Sequence, residues 1–481
     1  MYRQIVLYLP SNIVPAICSF LLVVVYTRLL TPESFGVYSL AFSAVLVAQT
    51  ALFYALPIAI TRFHPGASLE GREVSFLKSA YTVFYAGAAV VAAIGFSLVT
   101  LLPMGSVSGA PALLVVPVLL ARAAVSMNQA FNRSANRLGR YNTIECAHAV
   151  LGLVAGVALV LVLGPSAEAV MLGLLVAALT CALRDVRLLS LPLRRRDVPL
   201  DRGTVRHLLG YAWPLVMVAI TASLLQLSDR FLLGGLGDAA MLGVYAVAYS
   251  LVERPMALIC SAVSTATFSL AVQVMERDGR EAGRIQAGRN GAVLLALTLP
   301  ACAGLALTAP YVSAALVGPA FRDGVAALIP IMCVTALLHG VRSHFIDHAF
   351  HLSGRSSRMM WSYGPAAIAN LVLNLVLIPR FGMFGAAWSG LVAQALAVIV
   401  GWSVGRRVFP LWVPLAEVGR IVGSVAVMAV VLSLVSFPLN GFGLIQAVAL
   451  GGCAFLATAL LLNVAGARDR LVWPRHRLRS P

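Results

Sequence analysis

Charge is what this sequence lacks. Only 11% of its 481 residues are charged, against about 25% in soluble globular chains. Lysine is nearly absent: Lys78 is the only one, so arginine supplies almost all of the 35 basic residues, and acids number 18. No Gly-x-x-x-x-Gly-Lys-Ser/Thr loop occurs, which excludes an ATP-driven pump of that type. No His-Glu-x-x-His or Gly-x-Ser-x-Gly motif occurs either, and no soluble stretch is long enough for a nucleic-acid-binding domain. The seven cysteines (Cys18, Cys146, Cys181, Cys260, Cys302, Cys333, Cys453) all fall in apolar stretches, and no two have Cys-x-x-Cys spacing. They read as small hydrophobic residues rather than as metal ligands or disulfides. No cofactor is expected. The first apolar run, Pro10 to Leu30, is too long for a cleavable leader and lacks a small-x-small site, so it is expected to be the first span.

Apolar residues are what remains. They make up 60% of the chain, more than a soluble core can hide. With about 20 residues per crossing, the apolar content suffices for about fourteen helices. The expected spans are 10–31, 36–61, 76–101, 111–132, 143–163, 166–183, 211–236, 242–273, 291–309, 325–350, 361–378, 384–404, 418–437 and 443–464. The fold class is therefore an all-α polytopic membrane protein. Gly234-Gly235-Leu236-Gly237-Asp238 reads as a short external turn.

The loops alternate in charge. With Met1 in the cytoplasm, 28 basic residues fall on the cytoplasmic side and three, Arg28, Arg322 and Arg380, on the far side. Arg122, Arg230, Arg254 and Arg342 lie within spans. The net charge of +17 thus sits almost wholly on one face, which predicts cytoplasmic termini. No external loop is long enough for a catalytic domain, so a carrier is expected rather than an enzyme. The basic tail 465–481 is expected to meet anionic headgroups.

An internal repeat divides the chain. Gly36-Val37-Tyr38-Ser39-Leu40-Ala41-Phe42-Ser43 matches Gly243-Val244-Tyr245-Ala246-Val247-Ala248-Tyr249-Ser250 at five of eight positions. Gln129-Ala130-Phe131 similarly pairs with His348-Ala349-Phe350. The expected organisation is a six-helix lobe over 1–190, a basic linker at 191–209, a second lobe over 210–405, two extra helices over 406–464 and the tail. Each lobe has an even number of helices, so the repeats are parallel, with the pseudo-symmetry axis along the membrane normal.

Charges inside spans are the candidate functional groups, because one at mid-bilayer costs about 2.5–3.5 kcal/mol on insertion scales. Arg122, Arg230, Arg254 and Arg342 are expected to line a cationic, substrate-binding cavity, since guanidinium groups hold anions by charge-assisted hydrogen bonds. Asp229, Glu253, Asp347 and His348 are expected to couple transport to an ion. The bland alternative is that Asp229 and Glu253 merely neutralise neighbouring arginines. His339, His344 and His351 read more readily as packing histidines. Pro15, Pro57, Pro117, Pro214, Pro255, Pro300 and Pro330 mark kinks or hinges.

Two segments resemble a known family. Thr27-Arg28-Leu29-Leu30-Thr31-Pro32-Glu33-Ser34-Phe35-Gly36-Val37-Tyr38-Ser39 is similar to the R-L-L-x-P-x-x-x-G-x-Y stretch of Wzx-type polysaccharide flippases. These form a branch of the multidrug/oligosaccharidyl-lipid/polysaccharide (MOP) exporter superfamily, whose drug-exporter members are MATE proteins. Leu377-Ile378-Pro379-Arg380-Phe381-Gly382-Met383-Phe384-Gly385-Ala386-Ala387 resembles the family's L-I-P-x-x-G-x-x-G-A-A link. The resemblance implies a fourteen-helix flippase of a bacterial inner membrane. Its substrate would be an undecaprenyl-pyrophosphate-linked oligosaccharide for O-antigen, capsule or exopolysaccharide. Its partners would be membrane lipids and candidate polymerase and chain-length machinery. A drug or cation exporter of the same superfamily and a polytopic polymerase or ligase are the alternatives.

Overall fold

A computed structural model describes residues 2–101, 110–195, 197–466 and 468. Arg196 and the tail residues Arg470, Arg475, Arg477 and Arg479 lie outside them. The described chain is helical, with no strand among the described residues. In order the helices are α1 (Tyr2–Leu29), α2 (Pro32–Phe53), α3 (Ala55–Leu69), α4 (Glu73–Leu101), α5 (Ala110–Ser134), α6 (Leu138–Leu163), α7 (Ala167–Leu183), α8 (Val186–Leu189), α9 (Leu191–Arg194), α10 (Arg202–Leu236), α11 (Ala239–Leu307), α12 (Ala309–Leu316), α13 (Arg322–Val341), α14 (Asp347–Leu352), α15 (Met360–Val408), α16 (Leu415–Ser433) and α17 (Gly441–Leu461). Among the described residues, ten helices are long and apolar enough to cross a membrane. An eleventh is counted if the bent pair Leu215–Ser223 and Leu225–Leu236 is one span. Each of the fourteen expected spans overlaps a helix, but length and composition select only these.

The breaks have local causes. The expected span 36–61 divides at Tyr54, three residues before Pro57. A proline there donates no bond to the preceding turn, and its ring crowds that turn's carbonyl. Within α11 the chain turns at Gly279 (φ 89°), and within α15 at Gly382 (φ 55°), so each of these elements holds two of the expected spans. Both are left-handed positions that glycine adopts without a Cβ clash. The Pro379–Gly382 link is therefore a turn. In the other family-like segment, Thr31 caps α2 by accepting from the Ser34 amide at 3.2 Å, with Pro32 at the first helical position. The glycine-rich run 234–238 is mostly helical: α10 continues to Leu236, and Gly237 ends it.

The chain forms two compact units, Met1–Ala246 and Val247–Pro481. The division falls inside α11 and not in the 191–209 stretch, because α10 packs on α2, α3 and α4. In the first unit α6 packs on α1 and α7, and α5 on α2, α3 and α7. The repeated glycines explain themselves there: a Cβ on Gly36 would strike the Ala239 carbonyl, and one on Gly243 the Pro32 carbonyl. The two copies of Gly-Val-Tyr thus meet backbone to backbone. In the second unit α13 packs on α12 and α15, and α16 on α17.

The stretch after α7 is tied along one face of α4. Tyr85 donates to the Leu189 carbonyl at 2.7 Å, Ser75 donates to that of Pro199, and Ser79 accepts from the Asp201 amide at 3.1 Å. Lys78 donates its ammonium to the Val198 carbonyl. Positions 75, 78, 79 and 85 share a face at helical spacing. The chain's sole lysine is therefore a strap anchor, buried at its base.

Candidate functional site

In the first unit, α5 carries Arg122 to the edge of a cavity of about 200 Å³. Leu46, Gln49, Thr50, Phe53 and Tyr54 line it from the α2–α3 break, with Ser126 from α5. The Arg122 guanidinium donates to Gln49 Oε1 at 3.3 Å and lies over the Phe42 ring at 5.2 Å. Phe42 continues an aromatic line with Tyr38 (6.0 Å) and Tyr26 (6.2 Å). Glu145 and His148 of α6 lie within electrostatic range of Arg122. A half-buried cation held by a neutral amide and a ring face keeps donor capacity for an anion.

Arg230 approaches the same helix, donating to Ser43 Oγ at 3.2 Å. Ser43 follows Phe42, so α2 is the element that both arginines share. Asp229 is buried and accepts from the Tyr245 hydroxyl at 2.7 Å. Tyr245 belongs to the second Gly-Val-Tyr copy.

The second unit holds a different arrangement. Arg342 is 1% exposed. Its guanidinium pairs with Asp347 Oδ2 at 3.5 Å, donates to Gln394 Oε1 at 3.3 Å and to Ser343 Oγ at 3.0 Å, and stacks over Tyr363 at 4.1 Å. Tyr363 also donates to Asp347 Oδ2 at 2.9 Å, while the other Asp347 oxygen is buried without a hydrogen-bond partner. The backbone from Arg342 to Ile346 is π-helical, a wide turn that recurs at functional sites. Glu253 pairs with His339 Nδ1 at 2.7 Å. His348 lies against Ser264 Oγ at 3.1 Å and the Phe268 ring at 4.7 Å. Arg254 is half-buried on α11 beside Glu253.

Arg122 and Arg230 are thus brought to one helix, and Arg342 with Asp347 to one network. Glu253 meets a histidine read from sequence as packing. Gln49, Tyr54 and Ser126 at Arg122, and Tyr363 and Gln394 at Arg342, were not singled out from sequence. Their signal was present: Gln49-Thr50 and Gln394 interrupt apolar spans.

A family model described as "Polysaccharide biosynthesis protein" matches residues 1–275, more than half of the chain. The chain belongs to the polysaccharide biosynthesis protein family. The matched segment contains the Thr27–Ser39 stretch, and with it Arg122, Asp229, Arg230, Glu253 and Arg254; Arg342, Asp347 and His348 lie beyond it. "Probable flippase AglR" of Haloferax volcanii is 26% identical over 208 residues, which is 42% of this chain and 43% of that protein. The match therefore spans under half of that relative's length.

Solved structures share the fold of this family member. "Lipid II flippase MurJ, inward closed conformation" matches with TM-score 0.79 at 13% identity, over 97% of this chain and 100% of that one. An inward-facing multidrug resistance MATE transporter of the MOP superfamily matches with TM-score 0.60 at 17% identity, over 83% of this chain and 97% of that one. The protein is a multi-pass membrane protein with a MurJ- and MATE-like helical fold.

Proposed function

We propose that this protein is a flippase that moves undecaprenyl-pyrophosphate-linked oligosaccharide units from the cytoplasmic to the periplasmic leaflet of a bacterial inner membrane by alternating access. The units would feed O-antigen, capsule or exopolysaccharide synthesis, with both termini in the cytoplasm. The observation that carries the reading is Arg122 at the edge of a cavity whose other polar groups are Gln49, Thr50, Tyr54 and Ser126. A pyrophosphate needs a cation with several donors, sugar hydroxyls need amides and hydroxyls, and a carrier needs both where water can enter. Membership in the polysaccharide family and the partial likeness to a probable flippase support the same substrate class. The repeat lobes expected from the sequence, 1–190 and 210–405, would be the alternating halves, with α10, which packs on α2, α3 and α4, as the helix that joins them. Glu253 with His339 and Asp347 with Arg342 are the candidate ion-coupling pairs, and a polysaccharide polymerase is the candidate partner.

Complementation tests this. In a strain lacking its own flippase, the wild-type chain restores surface polysaccharide. Arg122→Ala and Arg230→Ala lower it about ten-fold or more at unchanged membrane protein level, the loss expected from about 1.4 kcal/mol or more of differential substrate binding. Full restoration by both variants would reject the cationic-site reading. Efflux of cationic dyes by the wild-type chain would favour the drug-exporter alternative.

A further inference from the structure

The second unit has a cavity that the flippase reading leaves unused. It measures about 510 Å³ and is lined by Met275, Arg280, Leu352, Ser353, Arg355, Arg407, Val408 and Phe409. It lies where the Gly279 turn of α11, the end of α14 and the end of α15 come together. Its base is apolar, because Leu352 and Phe409 belong to a buried cluster with Ala287, Ala349 and Leu411. Its polar wall is three arginines and Ser353.

One of these guanidinium groups is held in place, and none of the three is paired with an acid among the described residues. Arg280 donates to the Val408 carbonyl at 2.6 Å and lies over the Phe409 ring at 5.3 Å. Arg355 follows Gly354, whose left-handed backbone (φ 68°) ends α14, and its amide bonds back to Phe350 at 3.0 Å. Of the acids next to Arg280 in sequence, Asp278 pairs with Arg277 at 2.9 Å and Glu281 with Arg284 at 3.2 Å, while Glu276 is exposed and does not line the cavity. Among the described residues no carboxylate forms an ion pair with Arg280, Arg355 or Arg407. Arg355 and Arg407 are exposed, so water screens much of their mutual repulsion, and an anion seated among the three would replace that screening with direct charge-assisted hydrogen bonds.

We propose that this cavity binds the phosphate of an anionic phospholipid headgroup. Arginine forks match phosphate oxygens. The apolar base of Met275, Leu352, Val408 and Phe409 suits glycerol and the first acyl methylenes, which a free phosphate does not carry. Charge bias alone would put arginines on this side of the membrane, but it would not require them to share a recess with a greasy base. The site is independent of the Arg122 cavity and does not rest on the oligosaccharide reading.

The test uses the full-length protein in detergent with dihexanoyl-phosphatidylglycerol, dihexanoyl-phosphatidylcholine and inorganic phosphate. Binding to the folded state alone raises its thermal midpoint. Phosphatidylglycerol is expected to raise the midpoint of the wild-type chain and of a control with exposed Arg187, Arg194 and Arg195 changed to glutamine. In Arg280→Gln/Arg355→Gln/Arg407→Gln the shift should vanish, with apparent Kd weakened about ten-fold or more. Arg355→Gln alone, on an exposed turn, should weaken binding even if the triple variant fails to fold. No shift in the wild-type chain, an equal shift with phosphatidylcholine, or an undiminished shift in the Arg355 and triple variants overturns the proposal. An equal shift with inorganic phosphate overturns its lipid source.

Discussion

Arg122 and Arg342 carry the same signal in the sequence, an arginine inside an apolar span, and the two units treat them in opposite ways. Arg122 is half-buried beside a cavity, with an amide at 3.3 Å and a ring at 5.2 Å. Arg342 is sealed, paired with Asp347 and closed over by Tyr363. A buried guanidinium with a carboxylate, a ring face and two further acceptors has few donors left for a ligand. A cation whose contacts are an amide and a ring, with the nearby Glu145 taken up by Gln129, keeps more of its donors for one. Burial and pairing, not position in a span, separate a scaffold arginine from a candidate ligand-binding arginine. By this criterion Arg342 is built into the π-helical turn, and Arg122 is the arginine better placed for the proposed substrate; one Asp347 oxygen stays without a hydrogen-bond partner, as the proposed ion coupling would use.

The largest effect should come from breaking the sealed pair. Asp347→Ala leaves the Arg342 guanidinium buried without its counter-charge, a change that typically costs about 3–5 kcal/mol. Chemical or thermal unfolding in detergent should show this loss, and Asp347→Asn, which keeps an acceptor for Tyr363, should lose less. An Asp347→Ala variant as stable as the wild type would mean that the pair contributes little and that the two arginines are not so different.

Sequence reasoning reached as far as local signals do. Long apolar runs, the Thr31-Pro32 cap and the left-handed glycine in the Pro379–Gly382 link are properties of neighbouring residues. They specify helices and turns directly, and the family resemblance rests on them. The partners of the buried charges are not neighbours. Gln49 meets Arg122 across 73 residues, Gln394 meets Arg342 across 52, and His339 meets Glu253 across 86. No spacing rule connects them, so two arginines with opposite surroundings look alike in the sequence, and the carboxylate that His339 meets is not legible there. The break at Tyr54 was nearer to hand, since Pro57 is in the sequence, yet proline inside membrane helices is often tolerated.

A second change probes what supports the open site. Tyr26 is fully buried, its hydroxyl set against Gly156 of α6, where a Cβ would collide with it. Tyr26 in turn begins the aromatic line that reaches Phe42 under Arg122. Gly156→Ala overpacks this contact and should cost about 1–3 kcal/mol. Because the strain enters the line beneath Arg122, transport should fall in parallel with the stability loss. Gly152→Ala, whose added methyl would meet Leu174 at ordinary contact distance, should leave both nearly unchanged. Equal behaviour of the two variants would show that the aromatic line does not position Arg122.

The smallest change in stability is expected at Arg122 itself, and there the comparison is sharpest. Its hydrogen bond to Gln49 is of a kind worth about 0.5–1.5 kcal/mol net, and a cation over a ring contributes about 0.5–1 kcal/mol where water is near. Against these stands the cost of holding a charge at depth, which removing the charge relieves. The terms nearly cancel, so Arg122→Gln should shift unfolding by about 1 kcal/mol or less while surface polysaccharide falls sharply in the complementation strain. Glutamine keeps a donor for Gln49 but not the charge, so this split isolates the guanidinium's interaction with an anion. If Arg122→Gln instead unfolds the chain as readily as Asp347→Ala, Arg122 is a second framework cation, and the anion site of the proposed flippase must be sought at Arg230 or Arg254.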